Sequence, residues 1–219
     1  MVELIRGLSA DRVRVNLQRV RDRIAGVGID PGGVEILAAV KYVPVQELGV
    51  LAQAGVTLVG ENRAQELERK AQAVPGAFTW DFIGHLQSRK VKDVVPRVRY
   101  IHSVASDSVL AQLAKHATDE TQVLVEVNVA GEPEKDGVSP AELAAFLDRC
   151  AVPVVGLMTM PPLAASPEAN RPHFAALRRL AEVHGLRHLS MGTSQDYLVA
   201  VQEGATIVRL GTILYADAP

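Results

Sequence analysis

Short, densely apolar segments alternate with longer amphipathic segments along most of the chain. Runs such as 122–129 (QVLVEVNV) and 153–160 (PVVGLMTM) do not alternate strictly between apolar and polar residues, which is typical of parallel strands covered by helices. Eight such segments predict strands at 34–40, 56–60, 79–84, 99–104, 122–129, 153–160, 187–191 and 206–211.

The stretches between these strands have helical patterns. They predict helices at about 46–55, 61–73, 87–95, 106–118, 140–150, 168–184 and 195–203, and an additional helix at about 10–27 before the first strand. Four serines each precede one of these patterns, where a hydroxyl can cap free backbone N–H groups: Ser9, Ser106, Ser139 and Ser194.

Eight strand–helix units in one chain predict a (β/α)8 TIM barrel with an extra N-terminal helix. The alternative is an open, doubly wound sheet, which usually has fewer strands and a glycine-rich turn after the first one. Here that position reads Lys41-Tyr-Val-Pro. No linker, low-complexity tract or repeat of fixed period interrupts the sequence, so we predict a single domain over residues 1–219.

Composition narrows the class of protein. The net charge of −2 gives no support for nucleic-acid binding. Cys150 is the only cysteine, which excludes an intrachain disulfide and CxxC metal pairs, and no metal site is predicted. The first 15 residues lack the apolar core of a signal peptide, and no apolar run is long enough to span a bilayer. We expect a cytoplasmic protein, without membrane attachment and monomeric.

Polar residues, together with some methionines and a glycine, collect at the predicted carboxyl ends of the strands, where barrels of this type carry their active sites. They are Lys41, Glu61, Asn62, His85, His102, Ser103, Asn128, Met158, Met160, the run from Ser190 to Ser194, Arg209 and Thr212. Each is weak evidence alone. His85 or His102 could be a structural histidine, and Glu61 could be an acid in the first turn of a helix.

Lys41 closes the apolar run of the first strand. It could be the first loop residue, with its ammonium group in water. Alternatively, it could be an amine held neutral by burial, of the kind that condenses with an aldehyde.

The last two strand ends are more specific. Gly192 and Gly211 allow close approach of the backbone, and Thr193, Ser194 and Thr212 offer hydroxyl groups. The loops after strands seven and eight are the common phosphate site of this architecture, although they could be ordinary turns. Arg209 lies two residues before Gly211 and shares its face of the strand. An amine, a phosphate site and an arginine between them match pyridoxal 5′-phosphate (PLP).

Several motifs in order resemble those of the pyridoxal phosphate homeostasis proteins, single-domain relatives of the alanine racemase barrel (fold-type III PLP proteins). The similarity spans about residues 34–214. Its motifs are LAAVK ending at Lys41, GENRAQE at 60–66, WDFIGHLQSRK at 80–90, HSV at 102–104, VN at 127–128, GLM at 156–158, LSMGTS at 189–194 and VRLGT at 208–212.

The resemblance implies a role for each site residue. It implies that Lys41 carries PLP as a Schiff base and that Arg209 faces the pyridine nitrogen. The phosphate would be surrounded by Ser190, Gly192, Ser194, Gly211 and Thr212, and the ring would be lined by Asn62, His85 and Met158.

This chain also departs from the family pattern. Lys135 matches a second lysine of the family, but Asp136 stands beside it where a serine is usual. Val40 replaces the usual serine before the Schiff-base lysine, and the ending from Leu214 onward differs as well.

The expected function is binding, protection and delivery of PLP within the cell, with PLP-dependent apo-enzymes as expected partners and no strong catalytic activity. An arginine at the ring nitrogen disfavours its protonation and so limits carbanion chemistry. Two alternatives stay open. One is a PLP-dependent amino-acid racemase or lyase, and the other is a barrel aldolase or isomerase that uses Lys41 on a sugar phosphate without PLP.

Overall fold

A computed structural model describes residues 4–133 and 135–216, within which eight parallel strands form a closed barrel in chain order. The strands are β1 Glu35–Ala39, β2 Leu58–Glu61, β3 Thr79–Phe82, β4 Tyr100–Val104, β5 Gln122–Glu126, β6 Val154–Met158, β7 His188–Ser190 and β8 Ile207–Leu210. The sheet closes because β8 pairs with β1, with Arg209 opposite Leu37. The predicted barrel is therefore confirmed, and the open sheet is excluded.

Helices surround this barrel. They are α1 Ala10–Gly26, α2 Val45–Gln53, α3 Ala64–Ala73, α4 Val91–Val94, α5 Asp107–His116, α6 Leu143–Asp148, α7 Arg171–Val183, α8 Tyr197–Gln202 and α9 Thr212–Tyr215, with 3-10 turns at Pro31–Gly33, Ser88–Lys90, Val95–Arg97 and Pro167–Asn170. The additional helix α1 buries one face and its Asn16 amide, which donates to the carbonyls of Leu214 and Ala216 at 3.2 and 3.0 Å. This contact fastens α1 to α9. No helix of the described residues is both long and apolar enough to cross a membrane.

The strands have two packed sides. Ala38 and Val40 of the first strand segment belong to the large core between barrel and helices, whereas Leu37 packs with Leu58 and Ile207 in a smaller cluster inside the barrel. Successive side chains on a strand point to opposite sides. Residues at even spacing from this inner cluster therefore face the barrel axis, and those at the carboxyl ends line its mouth.

Several predicted boundaries are wrong by a few residues. The strands predicted at 122–129 and 153–160 end at Glu126 and Met158, and the helix predicted at 61–73 starts at Ala64 because Glu61 still belongs to β2. The segment predicted as one helix at 87–95 is broken into short turns around α4.

Two of the four predicted caps are confirmed. The hydroxyls of Ser9 and Ser106 accept the N–H groups of Arg12 and Val109, both at 3.4 Å. The other two predictions are wrong. The hydroxyl of Ser139 donates to Glu142, at 2.6 Å, and α6 begins after that residue. Ser194 lies before the start of α8 and has other partners, described below.

A cavity of about 540 Å³ lies at the amino ends of the strands, where Glu35, Leu58, Thr79 and Arg99 line it. Barrels of this type bind their ligands at the opposite end, where the strands finish. The residues singled out by the sequence also lie at that opposite end.

Candidate cofactor-binding site

Most of the predicted site residues share the axis-facing side of the strands. Lys41, Asn62, His85, Met158, Ser190, Gly192, Arg209 and Gly211 all fall on it by the two-residue alternation of their strands. They occupy two depths. Met158, Ser190 and Arg209 are buried inside the barrel, whereas the side chains of Lys41 and His85 are exposed at its mouth.

Lys41 is the second residue after β1, and its side chain is exposed. Its ammonium nitrogen lies 4.7 Å from the centroid of the Tyr42 ring, a cation–π contact. No other described residue holds the ammonium group by a hydrogen bond or an ion pair. Of the two interpretations of Lys41, the structure therefore has the loop residue with its amine in solvent.

The chain does bury an ammonium group nearby, but it belongs to Lys70 of α3. Lys70 Nζ lies 2.5 Å from Glu61 Oε2 and donates to the carbonyl oxygen of Val40 at 2.6 Å. Glu61 Oε1 accepts the backbone N–H groups of Asn62 and Arg63, at 2.6 and 3.1 Å. This buried pair therefore fixes the backbone immediately before Lys41 and at Asn62.

Arg209 is held by the ends of the two preceding strands. Its Nη1 donates to the carbonyl and the hydroxyl oxygen of Ser190, both at 2.7 Å, and its Nη2 donates to the carbonyl of Thr159 at 3.0 Å. Burial lowers the pKa of Arg209 to about 10, partly offset by the negative charges of Glu126 and Asp196. The guanidinium group therefore stays protonated at neutral pH. Among the described residues, Nε has no hydrogen-bond partner.

The hydroxyl of Ser190 is used inside the barrel. It accepts from Arg209, so its hydrogen points to Nδ1 of His102 at 2.8 Å. Nε2 of His102 then carries the proton and donates to Asp81 at 3.1 Å. Asp81 also accepts two hydrogen bonds from Arg99, at 3.1 and 2.7 Å. His102 is thus a structural histidine, and Ser190 acts on Arg209 instead of pointing its hydroxyl to the mouth.

This network determines the protonation states of His102 and Asp81. Burial lowers the pKa of His102 and outweighs its contact with Asp81, so the imidazole is neutral. Burial alone would raise the pKa of Asp81, but hydrogen bonds from His102 and Arg99 reverse the effect and hold that pKa below its ordinary value.

The loops after β7 and β8 are joined through Ser194. Its Oγ accepts the backbone N–H groups of Gly211 and Ile213, at 3.2 and 3.4 Å, which leaves the hydroxyl hydrogen for another acceptor. Gly192 has φ of +90°, and a Cβ there would lie 2.6 Å from Cβ of Ala200, so only glycine fits this turn. Thr212 is exposed beside them.

Thr193 differs from its neighbours, because its Oγ1 donates to Asp196 at 3.0 Å. That hydroxyl stabilises the loop itself.

Asn62 carries an unsatisfied polar atom. Its amide oxygen Oδ1 is buried and has no hydrogen-bond partner among the described residues. Leaving such a group unpaired costs about 1–3 kcal/mol. A ligand in the mouth with a complementary polar group would remove this cost, and the amide can present either its oxygen or its NH2 group.

The loop after β5 crosses toward β3. His85 Nδ1 lies 2.8 Å from Asp136 Oδ2, and Lys135 Nζ lies 2.7 Å from Glu132 Oε2. Asn128, which the sequence placed at a strand end, organises this loop: its amide donates to the carbonyl of Glu132 at 2.7 Å. Asp136 therefore contacts His85, and the predicted ring-lining histidine already has a partner.

Two charged residues at this end of the barrel were missed by sequence reasoning. Lys70 follows Leu67 by three residues and therefore shares the buried face of α3, which is the signal that could have identified it. Glu126 follows Leu124 by two residues in β5, and that spacing puts it on the axis-facing side. Glu61 was predicted to lie among the polar residues at the strand ends, with a helix-start acid as the alternative, and the structure instead pairs it with Lys70.

Known proteins are similar to this chain in sequence and in fold. The family model described as "Alanine racemase, N-terminal domain" matches residues 8–219. A pyridoxal phosphate homeostasis protein of Aquifex aeolicus is 37% identical over 95% of this chain and 98% of its own length. The protein of that name from Deinococcus radiodurans is also 37% identical, over 91% of this chain and 97% of its own.

Two solved structures have the same fold. PipY of Synechococcus elongatus, solved with PLP bound, is 30% identical, with a TM-score of 0.80 over 93% of this chain and 100% of its own. Alanine racemase from Corynebacterium glutamicum shares the fold, with a TM-score of 0.71 and 18% identity over 97% of this chain and 62% of the enzyme. Matches at this identity over nearly the full length of both partners show that the chain belongs to the family of pyridoxal phosphate homeostasis proteins, built on the barrel of the alanine racemase N-terminal domain.

Proposed function

We propose that this protein binds PLP at the mouth of its barrel and acts in PLP homeostasis, with Lys41 as the residue of covalent attachment. The observation that carries the proposal is the adjacency of β8 and β1. Arg209 pairs with Leu37, and a Cβ on Gly211 would lie only 3.9 Å from Cβ of Ala39. The phosphate loop, the arginine and the lysine thus follow one another around a single edge of the mouth.

The residues present fit PLP. An aldehyde suits the free amine of Lys41, and an anion suits the unused hydroxyl hydrogen of Ser194 with the close backbone at Gly192 and Gly211. Thr212 offers a second hydroxyl. The unpaired amide of Asn62 and the buried Met158 offer polar and apolar contacts for a ring. Ser190 belongs to the site through Arg209, and His85 belongs to its rim.

When bound, PLP supplies an electron-withdrawing ring whose strength depends on protonation of its nitrogen. Arg209 at that nitrogen would disfavour protonation, because two positive charges would then be adjacent. Ser190 and Thr159 hold the guanidinium group in place, so it cannot easily turn away. This arrangement supports a carrier without strong catalytic activity, as the names of the relatives also suggest.

Delivery of PLP to apo-enzymes in the cytoplasm is part of this proposal and is supported by the relatives named for homeostasis. A monomer is also proposed. The closed barrel leaves no unpaired strand edge that would invite pairing between chains.

The test is covalent trapping with borohydride. Protein incubated with PLP and then reduced should carry the added mass on a peptide containing Lys41, and Lys41→Ala should carry none. Lys135→Ala is the matched control and should trap PLP as the native protein does. Should Lys41→Ala still trap PLP at the mouth, the attachment residue has been assigned wrongly, and Lys135 becomes the principal candidate.

A further inference from the structure

A second, small cavity opens beside the proposed PLP position, between the ends of β5 and β6. Its volume is about 210 Å³, and it is lined by Glu126, Val127, Asn128, Val129, Ala130, Lys135, Asp136, Thr159 and Met160. This is below the roughly 300–1,000 Å³ of sites that hold drug-sized ligands. It therefore suits a small polar head group and not a whole cofactor.

Glu126 is the unpaired charge of this cavity. Lys135 is paired with Glu132 and Asp136 is paired with His85, at 2.7 and 2.8 Å. The Nη1 and Nη2 donors of nearby Arg209 are directed to Ser190, Thr159 and the sulfur of Met160. The carboxylate of Glu126 has no hydrogen bond or ion pair with any described residue. A carboxylate so placed, mostly buried and beside a cavity, favours a cationic donor.

The surroundings of Glu126 set its charge. Burial raises the pKa of Glu126, and the negative charge of Asp136 raises it further, whereas the positive charges of Arg209 and His85 lower it. An ammonium ligand would stabilise the ionised form, so its binding should weaken as the pH falls through this raised pKa.

We propose that this cavity binds a primary ammonium group, that of an amino acid or a lysine side chain, with Glu126 as its counter-ion. Three N–H donors on one small head match a carboxylate with free lone pairs. Val129, Ala130 and Met160 provide apolar contact for the carbon chain behind the head. No group of three potential metal ligands occurs in the described part of the chain, so a metal ion is the weaker alternative.

The identity of the amine rests on the proposed function. A primary amine is the group that would condense with the aldehyde of PLP, once the ammonium ion has lost a proton, with release of water or of the Lys41 amine. The ammonium site itself needs no PLP and can be tested without it.

The test is an NMR titration of the full-length, PLP-free protein with ethylammonium chloride, and with ethanol as the uncharged probe. The side-chain carboxyl carbon of Glu126 should shift saturably with ethylammonium and not with ethanol. Glu126→Gln should weaken binding about ten-fold or more, as judged from the backbone amides of residues 128–130. Glu142→Gln is the matched control. It makes the same exchange of an acid for an amide at an exposed glutamate that does not line the cavity, so ethylammonium binding should not change.

Three results would overturn the proposal: no saturable shift in the native protein, equal affinity for ethylammonium in Glu126→Gln, or equal shifts with ethanol. PLP binding by the same variants is measured separately. If the native protein fails to bind PLP while ethylammonium still binds at Glu126, the proposed function has failed and the ammonium site stands. If PLP binds normally and ethylammonium does not, the ammonium site has failed alone.

Discussion

Two lysines lie at the same end of β1 in opposite environments. Lys70 is 1% exposed, and its ammonium group contacts Glu61 and the carbonyl of Val40. Lys41 follows Val40 in the chain, yet its side chain is exposed, and its ammonium group lies over the ring of Tyr42. The carbonyl of Val40 therefore accepts a hydrogen bond from the buried Lys70, whereas the next residue in the chain, Lys41, has an exposed amine.

The difference shows how the fold separates stability from chemistry. Burying two charges is costly unless they are paired and hydrogen-bonded, and Lys70 and Glu61 are both. The hydrogen bonds of this pair fix the backbone before Lys41 and at Asn62. Lys41 takes no part in these hydrogen bonds, so we expect that its amine can be modified without disturbing the core.

The largest expected effect comes from breaking the buried pair. Lys70→Met leaves the carboxylate of Glu61 buried without its cation, which should lower the free energy of unfolding by about 3–5 kcal/mol. Lys41→Met should change it by no more than about 0.5 kcal/mol, as for an exposed residue. Chemical denaturation of both variants at one pH measures the contrast.

A double variant sharpens the same comparison. Lys70→Met combined with Glu61→Gln removes both charges while keeping an oxygen for the N–H groups of Asn62 and Arg63. It should recover part of the lost stability. Equal stability of the native protein and Lys70→Met would mean that the pair is not what holds these strand ends.

A smaller change in free energy is expected for a variant of the loop after β7, at the mouth of the barrel. Ser194→Ala removes one hydroxyl donor to the proposed phosphate, worth roughly 1–3 kcal/mol, so PLP affinity should fall about ten-fold or more. The hydroxyl also joins Gly211 and Ile213 to its own loop, so some of the loss arises from that loop. Binding is measured by equilibrium titration.

Pyridoxal without phosphate provides the control for this variant. Its affinity should hardly change, because it presents no anion to the loop. Equal losses for PLP and pyridoxal would show that Ser194 orders the site without contacting the phosphate.

The sequence predicted the barrel because eight apolar segments with helical patterns between them leave few alternatives. It also predicted which residues lie at the mouth, because the parallel strands of a barrel all end on the same side. It could not predict hydrogen-bond partners. The hydroxyl of Ser190 serves His102 and Arg209, and that of Ser194 serves a neighbouring loop, because these partners lie 17 to 88 residues away in the chain.

The positions of buried charged residues were also not predictable from the sequence. A buried lysine contradicts composition rules unless its partner is known, and Glu61 lies nine residues from Lys70 on a different element. The serine before α6 was wrong as a cap for a local reason: its hydroxyl donates to the Glu142 side chain, so the helix starts later. Whether the ten predicted residues hold PLP stays a prediction.

The smallest expected effect is on pH dependence and concerns the buried network behind Arg209. The pKa of His102 is lowered by burial, so the folded protein keeps this ring neutral where the unfolded chain, with a histidine pKa near 6.5, takes up a proton. Its contribution to stability is therefore complete above about pH 6.5 and is lost as the pH falls below it, by at most about 1.4 kcal/mol per pH unit.

His102→Gln should flatten the fall in unfolding free energy between about pH 6.5 and 5.5. His188→Gln is the matched control, because burial also lowers the pKa of that half-buried ring, so its variant should flatten the curve less. Glu126 acts in the opposite sense, since a raised carboxyl pKa adds stability as the pH falls. Both histidine variants keep Glu126, so its effect cancels when the two pH profiles are compared. If His102→Gln leaves the slope unchanged, burial does not lower the pKa of this ring: it takes up its proton at the same pH in the folded protein as in the unfolded chain.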